Sequence, residues 1–175
     1  MIDPVKLFEQ GNIKQGFKVA DLGCGSSGHF VFPAAHLVGA EGVVYAVDIL
    51  KPVLDGVERR ALFEGLNNVV TVWGNLERVG GVKIENKSVD IALLVNTLFQ
   101  IKDKQAVIKE AARILKSGGV LIVGEWKNAG VAFGPASDVR LEPTVMKNLA
   151  INAGLRWIKD FEAGPYHYGM VFANS

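Results

Sequence analysis

The residues best placed to do chemistry surround one glycine-rich stretch, Val19-Ala20-Asp21-Leu22-Gly23-Cys24-Gly25-Ser26-Ser27-Gly28. Its glycines have the spacing G-x-G-x-x-G and lie between an apolar run and a predicted helix. They let the backbone turn tightly and approach a ligand, and the helix start that follows offers unpaired N–H groups. Asp48 lies 20 residues beyond Gly28, at the end of the next apolar run. A carboxylate there can accept both ribose hydroxyls of a nucleoside. The glycines alone fit an ordinary tight turn, but together with the strand, the helix and Asp48 they indicate a nucleoside site. Two cofactor classes use such a site, the dinucleotides and S-adenosylmethionine. Asp21, two residues before the first glycine, would repel a pyrophosphate at the helix start and attract the ammonium of an amino acid, which favours the second class.

Three further residues are candidates for proton transfer. Glu125 is expected near the end of the fifth strand, and Tyr166 and His167 where the sixth strand hands over to the seventh, on the edge that should carry the cleft. His167 is preferred over Glu125 because an ordinary imidazole titrates near 6.5. The remaining singular residues have plainer readings. Cys24 is a small filler of the loop. His29 serves as a cap or approaches the ligand, and His36 is a structural or partly exposed helix residue. Arg59-Arg60 form a solvated helix face, and Trp73, Trp126 and Trp157 pack within strands.

These residues need elements to position them. Short Val- and Ile-rich runs predict strands at Phe17–Leu22, Val43–Asp48, Val69–Trp73, Val89–Asn96, Gly119–Trp126, Leu155–Phe161 and His167–Ala173. Helical spacing appears over Phe32–Val38, at Val53, Leu54, Val57, Ala61 and Leu62, at Val107, Ile108, Ala111, Ile114 and Leu115, and at Val145, Met146, Leu149, Ala150 and Ala153. Asp103 suits an N-cap, Pro143 a first turn and Gly154 the position just past a helix, while Ser117-Gly118-Gly119 should end the helix begun at Asp103. Alternating strands and helices mean βαβ units and a mostly parallel, doubly wound sheet. The five residues Glu162–Tyr166 are too few for a crossover, so the last two strands must form an antiparallel hairpin.

Composition bounds the class. A chain of 175 residues predicts one domain, here residues 1–175 with a short helical segment over 1–16. A net charge of +1 over 49% hydrophobic residues argues against a disordered chain and against a nucleic-acid partner held by bulk positive charge. No apolar run approaches the roughly 18 residues of a membrane span, and no secretory signal is seen, so a cytoplasmic protein is expected. One cysteine excludes an intramolecular disulfide and a cysteine-built metal site, and no metal is expected.

Asp21-Leu22-Gly23-Cys24-Gly25, Val44-Tyr45-Ala46-Val47-Asp48, Gly74-Asn75-Leu76-Glu77, Ser88-Val89-Asp90 leading to Asn96, and Arg113-Ile114-Leu115-Lys116-Ser117-Gly118-Gly119 resemble the successive motifs of class I S-adenosylmethionine-dependent methyltransferases. The similarity runs from about Gly16 to Phe172 and is greatest to the small-molecule branch that includes the ubiquinone and menaquinone biosynthesis enzymes. The resemblance implies a Rossmann-like seven-stranded α/β sheet of order 3-2-1-4-5-7-6 with strand 7 antiparallel. It also implies site roles. The backbone of Gly23, Cys24 and Gly25 would line the methionine and ribose, with Asp21 near the amino group. Asp48 would hold the ribose hydroxyls, Ile49 would pack on the adenine, Asn75 and Leu76 would meet its exocyclic amine, and Asn96 would lie under the methionine end. Such families usually show G-x-G-x-G; here Ser27 stands at the third glycine and Gly28 follows it.

The expected partner is a small organic acceptor. Asn96-Thr97-Leu98-Phe99 lacks the Pro-Pro-aromatic tetrad of amino-methylating DNA enzymes, and the lone cysteine argues against cysteine-dependent RNA cytosine or arsenite methylation. Glu125-Trp126 is a poor match to the acidic pair of metal-dependent catechol enzymes. The short N-terminal segment leaves an acceptor site that is open or completed by a second copy or partner chain, and Asn128–Glu142 is the expected lid. The alternatives are an S-adenosylmethionine-binding protein without turnover and, less favoured, an NAD(P)-dependent oxidoreductase.

Overall fold

The computed structural model describes residues 2–128 and 133–175. The apolar runs fold as β1 (Lys18–Leu22), β2 (Val43–Asp48), β3 (Val69–Trp73), β4 (Val89–Val95), β5 (Leu115–Trp126), β6 (Leu155–Glu162) and β7 (His167–Asn174). The helices are α1 (Pro4–Gly11), α2 (Val31–Val38), α3 (Lys51–Phe63), α4 (Lys104–Ile114) and α5 (Pro143–Asn152). The strands form one sheet in the order β3-β2-β1-β4-β5-β7-β6. The pairs from β3 to β5 are parallel, and β7 runs antiparallel to both β5 and β6, as the hairpin spacing required.

Alternate residues of each central strand enter opposite cores, so a parallel sheet covered on both faces reads as continuous apolar runs. Ala20, Leu22, Ala92, Leu94, Leu121 and Val123 pack with Val107 and Ala111 of α4 and Met146 and Ala150 of α5. Val19, Ile91, Leu93 and Ile122 pack with Leu7 of α1, Ala34 and Val38 of α2, and Leu54 and Val57 of α3. The capping signals hold: Asp103 accepts the Ala106 N–H at 3.0 Å, Pro143 opens α5, and Gly154 follows it with φ of 85°.

Three expectations need correction. Strand β5 begins at Leu115, directly after α4, and not at Gly119. The Lys87 and Ser88 N–H groups take the Arg113 and Ile114 carbonyls at 2.9 Å, which draws the chain into the sheet early and leaves a register shift opposite Val89 and Ile91. Trp73 and Trp157 are 53% and 37% exposed, because they stand on the edge strands β3 and β6, where one face is not covered. Strand β4 stops one residue early, since Asn96 is left-handed with φ of 52°.

The expected lid, Asn128–Glu142, includes residues 129–132, which lie outside the described residues. Its described remainder is tied down by Arg140, which donates to the carbonyls of Lys127, Phe133 and Pro135, and by the Tyr168 hydroxyl on the Leu141 carbonyl. The start of the described chain is fastened too. Ile2 is buried, with its side chain against Gly124, and its carbonyl lies 2.9 Å from the His29 Nε2. No helix among the described residues is long and apolar enough to cross a membrane.

Candidate functional site

The C-terminal ends of β1, β2, β3 and β4 converge on a cleft of about 450 Å³. The glycine loop forms its floor. Gly23 and Gly25 have φ of 85° and 63°, a left-handed backbone that costs a residue with a side chain about 1–3 kcal/mol. The N–H groups of Gly23 and Cys24 both donate to the Val47 carbonyl, at 2.8 and 3.0 Å, so the loop is pinned to β2. A Cβ on Gly23 would lie 2.7 Å from the Thr97 methyl, whereas one on Gly25 would meet nothing within 4 Å among the described residues. Glycine is therefore required at 23 for loop packing and at 25 for backbone angle beside open cleft. Gly28 (φ 55°) faces the Phe32 ring and closes the loop by donating to the Gly25 carbonyl at 3.2 Å. The displaced third glycine thus serves the junction of loop and helix.

Asp48, at the end of β2, adjoins the loop in the cleft wall. Its Oδ2 accepts the Gly25 N–H at 3.2 Å and its Oδ1 accepts the Leu50 N–H at 3.0 Å. Each oxygen keeps a lone pair, so the carboxylate is held in place with two acceptor positions left for a diol. Ile49 and Leu50, 52% and 59% exposed, give the cleft an apolar wall. Asn75 and Leu76 complete it from the end of β3, where the Asn75 Oδ1 accepts the Glu77 N–H at 2.9 Å.

Of the nine residues expected at the cofactor, the structure brings Gly23, Gly25, Asp48, Ile49, Asn75 and Leu76 to the cleft wall. Asp21, Cys24 and Asn96 stand behind it. Asp21 is 2% exposed, and its Oδ2 is buried without a partner among the described residues. Burial, with the Asp48 charge second, pushes its carboxyl up to about 7. The Asn96 Oδ1 is likewise buried and unpartnered. Burial raises the Cys24 thiol beyond the usual range, which fits a filler and not a nucleophile.

Sequence reasoning missed Ser26, Val53, Glu77, Thr97, Gln100 and Ile101, which also line the cleft. Thr97 and Gln100 belong to a single 3₁₀ turn after β4 that no glycine or proline announces.

Glu125 and His167 are not in the cleft wall. Glu125 is fully buried, because Leu121, Val123 and Glu125 share the strand face that points into the α4 and α5 core. Its Oε1 accepts the N–H groups of Thr97 and Leu98 at 2.9 and 2.7 Å, and burial raises its carboxyl to about 7. His167 is 2% exposed, with its ring centre 4.3 Å from that of Trp126. Burial, aided by positive charge that includes Lys127, lowers its proton affinity to a pKa of about 4. Tyr166 is part-exposed, edge-on to Phe133 at 4.6 Å. Arg60 is more than a solvated residue, since its Nη1 donates to the Ser27 carbonyl at 3.0 Å. Among the described residues no group of His, Cys, Asp and Glu is placed to hold a metal.

Residues 13–160 match the model of a family described as a methyltransferase domain. The chain belongs to this methyltransferase-domain family. The methyltransferase fold extends over nearly the whole chain. A solved S-adenosylmethionine-dependent methyltransferase from Aquifex aeolicus superposes with a TM-score of 0.90 at 22% identity, covering 99% of this chain and 90% of that one. The human arsenite methyltransferase is 33% identical over 109 residues, 59% of this chain and 29% of that protein. The demethylmenaquinone methyltransferase of Geobacillus stearothermophilus is 30% identical over 111 residues, 63% of this chain and 46% of that protein. This methyltransferase domain spans less than half the length of those two relatives.

Proposed function

We propose that the chain is an S-adenosylmethionine-dependent methyltransferase acting on a small organic acceptor, with residues 1–175 as one such domain. The observation that carries the reading is Asp48, a cleft-lining carboxylate fixed by the N–H groups of Gly25 in the glycine loop and of Leu50, with two acceptor positions free for a ribose. Asp21 supports it. A buried carboxyl lacking a partner beside the glycine loop suits an ammonium group better than a pyrophosphate, which disfavours an NAD(P)-dependent oxidoreductase. In this reading Ile49 packs on the adenine, Asn75 and Leu76 meet its edge, and Asn96 lies beneath the methionine end. The Cys24 side chain fills the loop, and the loop backbone makes the contacts.

When bound, S-adenosylmethionine supplies a methyl group already activated by its sulfonium, so the protein's task is to orient an acceptor in line with it and to exclude water. No base is assigned. Glu125 and His167 are enclosed, and a histidine with lowered proton affinity is a weak base at neutral pH. Catalysis by positioning follows. With one buried cysteine, the chain lacks a set of thiols for arsenite. We infer that the short α1 segment leaves the acceptor site open or completed by a second copy or a partner chain. A cytoplasmic location accords with this chemistry.

The test is calorimetry with S-adenosylmethionine, S-adenosylhomocysteine and NAD, followed by turnover across acceptor sets. Binding of the first two but not NAD is expected. Binding without turnover on any acceptor would favour a cofactor-binding subunit.

A further inference from the structure

We propose that Glu125 is a positioning residue for the cofactor cleft, acting through the Thr97 turn that its carboxylate holds from the side of the core. This rests on the cofactor reading above, and it replaces any direct role for Glu125 in proton transfer. One oxygen, Oε1, accepts two successive N–H groups, those of Thr97 and Leu98, at the start of the 3₁₀ turn Leu98–Gln100. That turn has no side-chain cap of its own, so Glu125 supplies from the neighbouring strand what a capping residue supplies locally. The turn in turn supports the glycine loop. Thr97 Oγ1 lies 3.2 Å from the Leu22 carbonyl and 3.1 Å from that of Val95, and its methyl packs so close to Gly23 that a Cβ there would lie 2.7 Å from it. Thr97, Gln100 and Ile101 line the cleft itself. A continuous set of contacts therefore runs from a wholly buried side chain on β5, through one turn, to the backbone of the glycine loop.

The cost of this arrangement is visible. Glu125 Oε2 is buried without a partner among the described residues, and a buried polar atom left so is unfavourable. An apolar residue at 125 would remove that penalty but leave two amides unsatisfied, so a polar acceptor is held here for the turn. Besides those two amides, the Trp126 N–H and Lys104 on α4 act to lower its proton affinity, and the Tyr168 phenol on β7, raised chiefly by burial, is raised further by the charges of Glu125 and Glu142. Oε1 accepts the two amides whether or not Oε2 carries a proton. The relevant property is then an acceptor atom at that place, not a charge, and glutamine should supply it.

The experiment compares Glu125→Gln, Glu125→Asp and Glu125→Leu in the full chain, with Ile114→Ala as a buried core truncation at the far end of α4, by the start of β5. Affinity for S-adenosylmethionine is read by calorimetry, thermal midpoints by circular dichroism, and exchange of the Thr97 and Leu98 amides by NMR. Glu125→Leu is expected to weaken binding at least tenfold and to speed exchange of those two amides. Glu125→Gln should remain within threefold of the parent, Glu125→Asp should fall between, and Ile114→Ala should lose stability without losing affinity. Glu125→Leu binding like the parent would overturn the proposal, as would Glu125→Gln failing as badly while folded. If Glu125→Leu does not fold, Glu125→Asp decides, since its shorter side chain withdraws the oxygen from both amides. The exchange measurement needs no ligand. Slow exchange in the parent and fast exchange in the variant would uphold the clamp even if the parent did not bind S-adenosylmethionine, and only the cofactor reading would then fail.

Discussion

The Arg60 guanidinium lies over the Phe32 ring, 3.9 Å from guanidinium carbon to ring centre. From there it reaches the Ser27 carbonyl and pairs with Glu64 at 2.7 Å. Gly28 faces the same ring, so α3 grips the far side of the glycine loop while Val47 pins the near side. Arg60→Ala is expected to weaken S-adenosylmethionine binding threefold to tenfold, on the scale of one exposed stacking and hydrogen-bonding contact. Arg60→Lys should recover little, because an ammonium cannot lie flat on a ring and keep the same donor direction. Calorimetry on both variants checks this; equal affinity in Arg60→Ala and the parent would leave the latch without a role.

Asp48→Ala is expected to weaken the same ligand at least tenfold while the chain stays folded. Hydrogen bonds to a charged group contribute about 1.5–3 kcal/mol each, and the ribose would lose two. Asp48→Asn, which keeps one acceptor oxygen, should fall between. Titration of all three proteins with S-adenosylhomocysteine provides the measurement, and an unchanged constant for Asp48→Ala would remove the assignment.

Asp21 is expected to link binding to pH. Its carboxyl is raised from 3.8 to about 7 in the folded chain. Between those values the unfolded state has lost the proton that the folded state keeps, so this group's contribution to stability falls as pH rises and levels off above 7. Glu125, also at about 7, acts in the same sense, and His167, lowered to about 4, acts in the opposite one. Asp21→Asn should therefore flatten the fall of stability from pH 4 to 7, as read by urea unfolding. An ammonium group beside Asp21 favours its ionised form, so ligand binding below pH 7 should release a proton and tighten as pH rises to about 7. Calorimetry in buffers of different ionisation enthalpy reads that proton directly.

Asn75 sets a finer test. Its Oδ1 already accepts the Glu77 N–H, leaving one lone pair for a donor at the adenine edge. Asn75→Ala should reduce discrimination between the adenosine and inosine forms of S-adenosylhomocysteine. Equal selectivity in variant and parent would assign the reading to backbone groups around Leu76.

Legibility in the sequence followed the range of the interaction. The reversal of β7 was readable because five residues cannot span a crossover, and the cap at Asp103 because its partner is three residues away. Asp48 was readable because the end of a parallel strand next to a glycine loop leaves little choice of surroundings. Glu125 was misread: a carboxylate at a strand end looks the same whether it faces a cleft or a core, although its alternation with Leu121 and Val123 carried the signal. Arg60 and Ser27 are 33 residues apart, and nothing local to either announces their contact. The Thr97 turn is supported by a residue 28 positions away, so its own composition shows no turn chemistry.

The fastening of Ile2 to His29 has a practical consequence for handling the protein. His29 directly follows the glycine loop, so a fusion partner or affinity tag joined at the start of the chain would pull on the segment that shapes the cleft. Because β7 runs against its neighbours, Ser175 emerges at the opposite edge of the sheet, beside the starts of β5 and β6. Tags and surface tethers belong at that end, away from the glycine loop.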